Sequence, residues 1–159
     1  MRAWSLLAAL FAFVLDQTTK AWALAALWPP YSDGIELLPV LNLKLGFNTG
    51  ITFGIFSESA ASVVWLLVGA KALVVALLLT WLARAATRLE AIALSLIIGG
   101  AVGNIADRIR LGAVVDFIDA HHQGRHWPTF NLADVAIVCG VGLVLLGSLR
   151  KGVSQADAR

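Results

Sequence analysis

Four long apolar stretches constrain the fold of this chain more than any other feature of its sequence. They cover residues 4–27, 59–82, 91–107 and 133–149. A helix that crosses a bilayer needs about 20 mostly apolar residues, with a range of about 17–25. Because 59% of the 159 residues are hydrophobic and only 14% are charged, an ordinary soluble fold and a disordered chain are excluded. We therefore predict a mainly α membrane protein with four transmembrane helices in one domain, residues 1–159.

The basic residues predict the direction in which these helices cross the membrane. Six of the 12 lie on short flanks at one side, whereas four are spread over the long segments 28–58 and 108–132. Since positive charge close to the ends of spans stays in the cytoplasm, we expect both termini there and both long segments outside. Asp16 and Lys20 interrupt the first stretch, which disfavours a cleaved signal peptide. The small net charge of +2 is therefore explained by basic residues that orient the helices, and it does not indicate nucleic-acid binding.

The first external segment has the pattern of a small sheet. Apolar and polar residues nearly alternate from Val40 to Leu45, which is typical of a half-buried strand. Aromatic and β-branched residues, interrupted by Gly50 and Gly54, follow directly. We predict an external β-sheet cradle over residues 35–58 and a second external loop over residues 108–132.

Polar residues that are costly inside a membrane gather near the outer end of the predicted bundle. Asp16 and Lys20 share one helix face, and a structural ion pair is the simplest interpretation. Asp134 follows Asn131 by three residues at the start of the last stretch, where both also suit a helix cap. Asp116 would lie among apolar side chains if its segment is extended. Their convergence predicts one polar pocket in apolar surroundings. The other members are Asn48, Gly50, Asn104, Asp107 and Arg108.

The residue types in this group favour carboxylate chemistry. No serine–histidine pair lies in a plausible place, and we interpret the segment with His121, His122 and His126 as a solvated loop rather than a metal site. Two neighbouring aspartates in a low-dielectric site cannot both ionise cheaply, so one of them keeps a proton. Such a pair can activate water while it protonates a leaving group, and it needs no cofactor.

Four blocks of the sequence make the chain resemble the lipoprotein signal peptidase family, also called signal peptidase II. They occur in order and at specific spacings, and the resemblance covers essentially the whole length. One departure is Ile51-Thr52, where many members have two alanines, and it concerns the packing of a loop over the substrate. The blocks are Asp16–Lys20, Asn48–Gly54, Gly103–Arg108 with Gly112–Ile118, and Phe130–Asp134.

The resemblance implies four transmembrane helices and an external β-sheet cradle in the bacterial inner membrane. It implies cleavage of prolipoproteins just before a cysteine that carries diacylglycerol, inhibition by the cyclic peptide globomycin, and contact with membrane lipid. We expect a monomer that uses no cofactor and binds no nucleic acid. By the same resemblance Asp116 and Asp134 are catalytic, and Asp16 and Lys20 support the site. The implied pocket residues are Asn48, Gly50, Asn104, Arg108 and Asn131.

Two other interpretations of the buried acids remain open from the residues alone. A proton-coupled carrier or an assembly factor could use the same groups, although carriers usually contain internal repeats and broken helices, which this sequence lacks. A structural four-helix subunit would leave so many costly polar groups unexplained. Solute flux into proteoliposomes would distinguish a carrier from a peptidase.

Overall fold

The computed structural model describes residues 3–30, 32–50 and 60–156 of the chain. Within these ranges the chain forms four α-helices and one small antiparallel sheet. The helices are α1 (Ala3–Ala26), α2 (Ala60–Ala83), α3 (Arg88–Leu111) and α4 (Leu132–Ala156). The strands are β1 (Ile35–Leu38), β2 (Leu41–Asn48), β3 (Val114–His122) and β4 (Arg125–His126).

Three helices of the described part are long and apolar enough to cross a membrane. They span Ser62–Ala83, Arg88–Leu111 and Leu132–Arg150. The prediction of a mainly α membrane protein is therefore confirmed. Helix α1 has 24 residues, but the polar run Asp16–Lys20 lowers its hydropathy and it is not among the three. A fourth crossing by α1 stays a prediction.

Helix α3 extends beyond the apolar stretch 91–107 at both ends because each end carries its own cap. The Thr87 side chain accepts a hydrogen bond from Glu90 N at 3.2 Å and begins the helix. Gly112 ends it in the left-handed conformation, with φ of 72°, and its N–H donates to Arg108 O at 3.0 Å. The polar residues in its last two turns, Asn104 to Arg108, are therefore helical and have fixed directions.

Helix α3 lies at the centre of the bundle and contacts α1, α2 and α4. Two adjacent glycines allow this close approach. A Cβ on Gly99 would meet the carbonyl oxygen of Ala9 in α1, and a Cβ on Gly100 would meet that of Ala133 in α4. The first turn of α4 and the first third of α1 are thus held closely against neighbouring faces of α3.

The sheet covers one end of the bundle, with strand order β1-β2-β3-β4. Gly46 of β2 pairs with Asp116 of β3, and Leu45, Val115 and Phe117 pack on Ala23 and other residues at the end of α1. The predicted cradle, residues 35–58, contains β1 and β2, while residues 51–59 lie outside the described ranges. The segment 108–132, which we expected to be a loop, contributes β3 and β4, because its apolar residues extend the same buried core.

Candidate active site

The most buried part of the site is a lysine between two carboxylates. Lys20 Nζ lies 2.9 Å from Asp16 Oδ2 and 2.8 Å from Asp107 Oδ2, and the three side chains are at most 3% exposed. The lysine also donates to Asn104 Oδ1 at 3.0 Å. Asp16 Oδ1 accepts from Ala133 N at 2.9 Å. The predicted ion pair between Asp16 and Lys20 is therefore present, and it connects α1 with α3 and α4.

Two asparagines carry this network from the lysine to the aspartates near the sheet. Asn104 Nδ2 donates to Asp134 Oδ1 at 2.9 Å. Asn131 Nδ2 donates to Asn104 Oδ1 at 3.2 Å and to Asp116 Oδ1 at 2.7 Å. Both asparagines are at most 2% exposed. Their amide groups have both donors and acceptors, so they can connect a cation with carboxylates without leaving a polar atom unpaired.

Asp134 caps its own helix and still belongs to the network. Its N–H donates to Asn131 Oδ1 at 3.0 Å, and its Oδ2 accepts from Asn131 N at 3.3 Å, which forms a reciprocal cap on α4. Its other oxygen, Oδ1, is the one that binds Asn104. Asp134 therefore both caps α4 and belongs to the polar pocket, because the cap fixes the direction of its carboxylate.

Asp116 lies in β3 and is 2% exposed. Burial raises the pKa of its carboxyl to about 6. A hydrogen bond from the Asn48 side chain lowers this pKa, the charge of Asp134 raises it, and the hydrogen bond from Asn131 lowers it. The two aspartates are therefore close enough to interact electrostatically, and Asp116 holds a proton at mildly acidic pH.

Arg108 and the turn after β2 form the side of the site that faces α2. The Arg108 guanidinium donates to Asn104 O at 3.3 Å, and its buried Nε has no partner among the described residues. Gly50 has φ of +76° and its N–H donates to Asn48 Oδ1 at 2.9 Å. A Cβ on Gly50 would lie 3.6 Å from the Arg108 guanidinium and 2.7 Å from Leu67. A larger residue at position 50 would therefore displace its neighbours.

The three histidines lie at the far end of β3 and in β4, away from this network. His126 Nδ1 lies 2.8 Å from Asp119 Oδ1, and its ring stacks on His121 with centroids 5.0 Å apart. Within the described ranges no three His, Cys, Asp or Glu side chains are grouped in a way that could hold a metal ion.

The sequence patterns assign no role to Gln17, and they identify Asp107 only as a member of the polar pocket. Gln17 Nε2 donates to Asp107 Oδ1 at 2.9 Å and to Gly103 O at 3.3 Å. Asp107 Oδ2 also accepts from Val115 N at 3.2 Å. Asp107 therefore fixes β3 beside α3 one residue before Asp116. The sequence feature that could have indicated this role is the spacing of three residues between Asn104 and Asp107, which puts both side chains on one helix face.

The structure brings all nine predicted site residues into one connected group. The carboxyl groups of Asp116 and Asp134, from a strand and a helix, both accept a hydrogen bond from Asn131. The Asn104 amide and the Arg108 guanidinium lie beside them. A carboxyl with a raised pKa next to a second carboxyl suits acid–base chemistry. The fold and the site together define a helical membrane protein with a buried, carboxylate-rich polar site. The nine are Asp16, Lys20, Asn48, Gly50, Asn104, Arg108, Asp116, Asn131 and Asp134.

Comparison with known proteins identifies the family. Residues 8–150 match the family model described as signal peptidase (SPase) II. The lipoprotein signal peptidase of Rhodopseudomonas palustris (strain ATCC BAA-98 / CGA009) is 44% identical over 147 residues, which cover 90% of each chain. That of Nitrobacter hamburgensis is 42% identical over 156 residues, which cover 95% of each. A solved bacterial membrane enzyme is 31% identical with a TM-score of 0.77, covering 93% of this chain and 88% of that one.

The chain therefore belongs to the signal peptidase II family, as its four sequence blocks predict. Membership in this family implies a protease that removes signal peptides from prolipoproteins. The apolar helices and the similar membrane enzyme agree that it is a membrane protein.

Proposed function

We propose that the chain is an aspartic endopeptidase of the bacterial inner membrane that cuts prolipoproteins just before the cysteine carrying diacylglycerol. Asp116 and Asp134 are its catalytic pair. The observation that carries this proposal is that Asn131 binds both carboxyl groups. Its side-chain Nδ2 donates to Asp116 Oδ1 at 2.7 Å, and its backbone N–H donates to Asp134 Oδ2 at 3.3 Å. A strand and a helix thus bring two acids to one place.

Hydrolysis by this pair needs one water and one proton that is already present. Asp116, whose pKa is raised to about 6, carries the proton. Ionised Asp134 takes a proton from the attacking water, and the hydroxyl forms a bond with the scissile carbonyl carbon. Asp116 donates its proton to the carbonyl oxygen. When the intermediate collapses, this proton returns to Asp116 and Asp134 protonates the departing nitrogen, which restores the starting state.

The surrounding polar groups orient the peptide and stabilise developing charge. Arg108 is suited to a peptide oxygen because its buried Nε has no partner among the described residues. Lys20 and Asp16 support the site through Asn104 and the first turn of α4. The substrate-binding residues are Asn48, Gly50, Asn104, Arg108 and Asn131.

The surroundings of Asp134 suit a substrate that stays in the lipid phase. A cavity of about 330 Å³ lies next to Asp134 and is lined mainly by Trp127, Phe130, Val135 and Val138. Trp127 and Val138 are largely exposed, so this cavity faces the side of α4 that lipid would cover. Both termini lie in the cytoplasm and the site lies near the outer leaflet. A monomer suffices, and a globomycin-type cyclic peptide competes for the pocket.

The test is cleavage of a diacylglyceryl-modified precursor by purified variants in detergent. Asp116→Asn and Asp134→Asn should each abolish cleavage, because neither amide can exchange the required proton. Asp119→Asn is the matched control, since Asp119 is in the same strand and is 3% exposed but binds His126 instead. It should retain most activity. Substantial turnover by either Asp116→Asn or Asp134→Asn, in folded protein, would disprove the catalytic pair.

A further inference from the structure

Lys71 is a charged residue in the middle of α2 that none of the sequence blocks contains. Lysine is costly at this depth in a membrane and normally has a partner or faces a polar cavity. Among the described residues Lys71 forms neither a hydrogen bond nor an ion pair, and its side chain is half-buried. The position therefore needs an explanation beyond packing.

The helix geometry directs Lys71 towards the site. Leu67 lies one turn earlier on the same face of α2. The Leu67 side chain lies 2.7 Å from the position that a Cβ on Gly50 would take. The Arg108 guanidinium lies 3.6 Å from the same position. The charge of Lys71 interacts with those of Arg108, Asp134, Lys20 and Asp116. Lys71 thus faces the Gly50–Arg108 side of the polar pocket from α2.

The charges of the pocket leave room for this cation. Asp16, Asp107, Asp116 and Asp134 are four acids, and Lys20 and Arg108 are two buried cations. These acids outnumber the two cations, so the group can accommodate Lys71 as a further basic residue without an excess of basic side chains.

Lys71 and Arg108 also leave unused hydrogen-bond donors on the same side. Arg108 has a buried Nε without a partner and forms no ion pair within 4.0 Å among the described residues. Two adjacent cations with free donors suit an anionic or strongly polarised oxygen group. Peptide hydrolysis creates such a group, because it converts the scissile carbonyl into a carboxylate.

We propose that Lys71, together with Arg108, binds the C-terminal end of the signal peptide. Before cleavage the ammonium group binds backbone carbonyl oxygens that lack donors at the end of the signal helix. After cleavage it binds the new carboxylate beside the two aspartates. This inference rests on the proposed function, and it adds a substrate-binding residue that the four sequence blocks do not contain.

The test measures binding without catalysis. The probes are two synthetic signal peptides of one sequence, one with a free C-terminal carboxylate and one amidated, and their dissociation constants are measured in detergent with the full chain. The unsubstituted chain should bind the carboxylate form about tenfold or more tightly, as for a charge-assisted hydrogen bond. Lys71→Met should lose this preference, Lys71→Arg should keep it, and Lys44→Met in the sheet should keep it as the matched control.

Equal binding of the two peptides by the unsubstituted chain, or an unchanged preference in folded Lys71→Met, would overturn the proposal for Lys71. If Lys71→Met does not fold, Lys71→Gln takes its place under the same criterion. Failure of the unsubstituted chain to cleave a lipidated precursor contradicts the proposed function instead. The two failures are distinguishable because one concerns the discrimination between product peptides and the other concerns turnover.

Discussion

Replacing Lys20 by Met tests how the site stays assembled. The substitution keeps most of the aliphatic side chain but removes the ammonium group that lies 2.9 Å from Asp16 and 2.8 Å from Asp107. The two carboxylates would then face each other without a cation, in a place where neither side chain is more than 3% exposed. Both Asn104 and the start of α4 depend on this cluster.

The two contacts give the expected magnitude. Both Oδ2 atoms lie within 2.9 Å of one nitrogen, so they are at most about 5.7 Å apart. At an effective dielectric constant of about 20, two unit charges at this distance repel each other by about 3 kcal/mol. Loss of one partner from a buried ion pair costs about 3–5 kcal/mol. We expect Lys20→Met to lower the free energy of unfolding by that amount near pH 8.

The assay is equilibrium unfolding by SDS in mixed micelles, followed by tryptophan fluorescence. Adding Asp16→Asn should restore part of the stability, because it removes one of the two carboxylates that face each other. Arg110→Met removes an exposed cation whose one hydrogen bond among the described residues is to Gln17 at 3.2 Å, and it should change the unfolding free energy by less than about 1 kcal/mol. Equal effects of Lys20→Met and Arg110→Met would refute this reasoning.

Three further predictions concern packing, pH and metals. Gly103→Ala should lower the unfolding free energy by about 1–3 kcal/mol, because its Cβ would meet the Asp16 carboxylate, whereas Gly142→Ala has open space and should not. Because the pKa of Asp116 is raised from 3.8 to about 6, about 3 kcal/mol of stability should be lost as pH rises from about 4 to above 6. Asp116→Asn should remove this loss in the same unfolding assay. EDTA should leave precursor cleavage unchanged, and a loss of activity that zinc restores would contradict the metal-free mechanism.

Local spacing was sufficient to predict much of the site. The four-residue interval between Asp16 and Lys20 fixes an ion pair on any helix, and the interval from Asn131 to Asp134 fixes a cap on α4. Both contacts form within one turn of chain. The predicted topology then placed Asp116 near these pairs, and the resemblance to a family assigned it a catalytic role.

The missing parts depend on contacts between distant segments. Strand β3 lies in a segment that we expected to be a loop, because its pairing with β2 and its bond to Asp107 are not local. The direction of Lys71 was also unpredictable. Apart from Lys71, helix α2 is apolar around its circumference, so its hydrophobic pattern does not indicate which face meets α3.

The central claim is that Asp116 and Asp134 hold one proton between them, and infrared titration of the carboxyl band tests it most directly. The unsubstituted protein should lose a carboxylic-acid signal as pH rises through about 6, and Asp116→Asn should remove that transition. Asp134→Asn should move it to lower pH, since the Asp134 charge raises the Asp116 pKa. A transition that is unchanged in Asp134→Asn, or that persists in Asp116→Asn, would contradict the account.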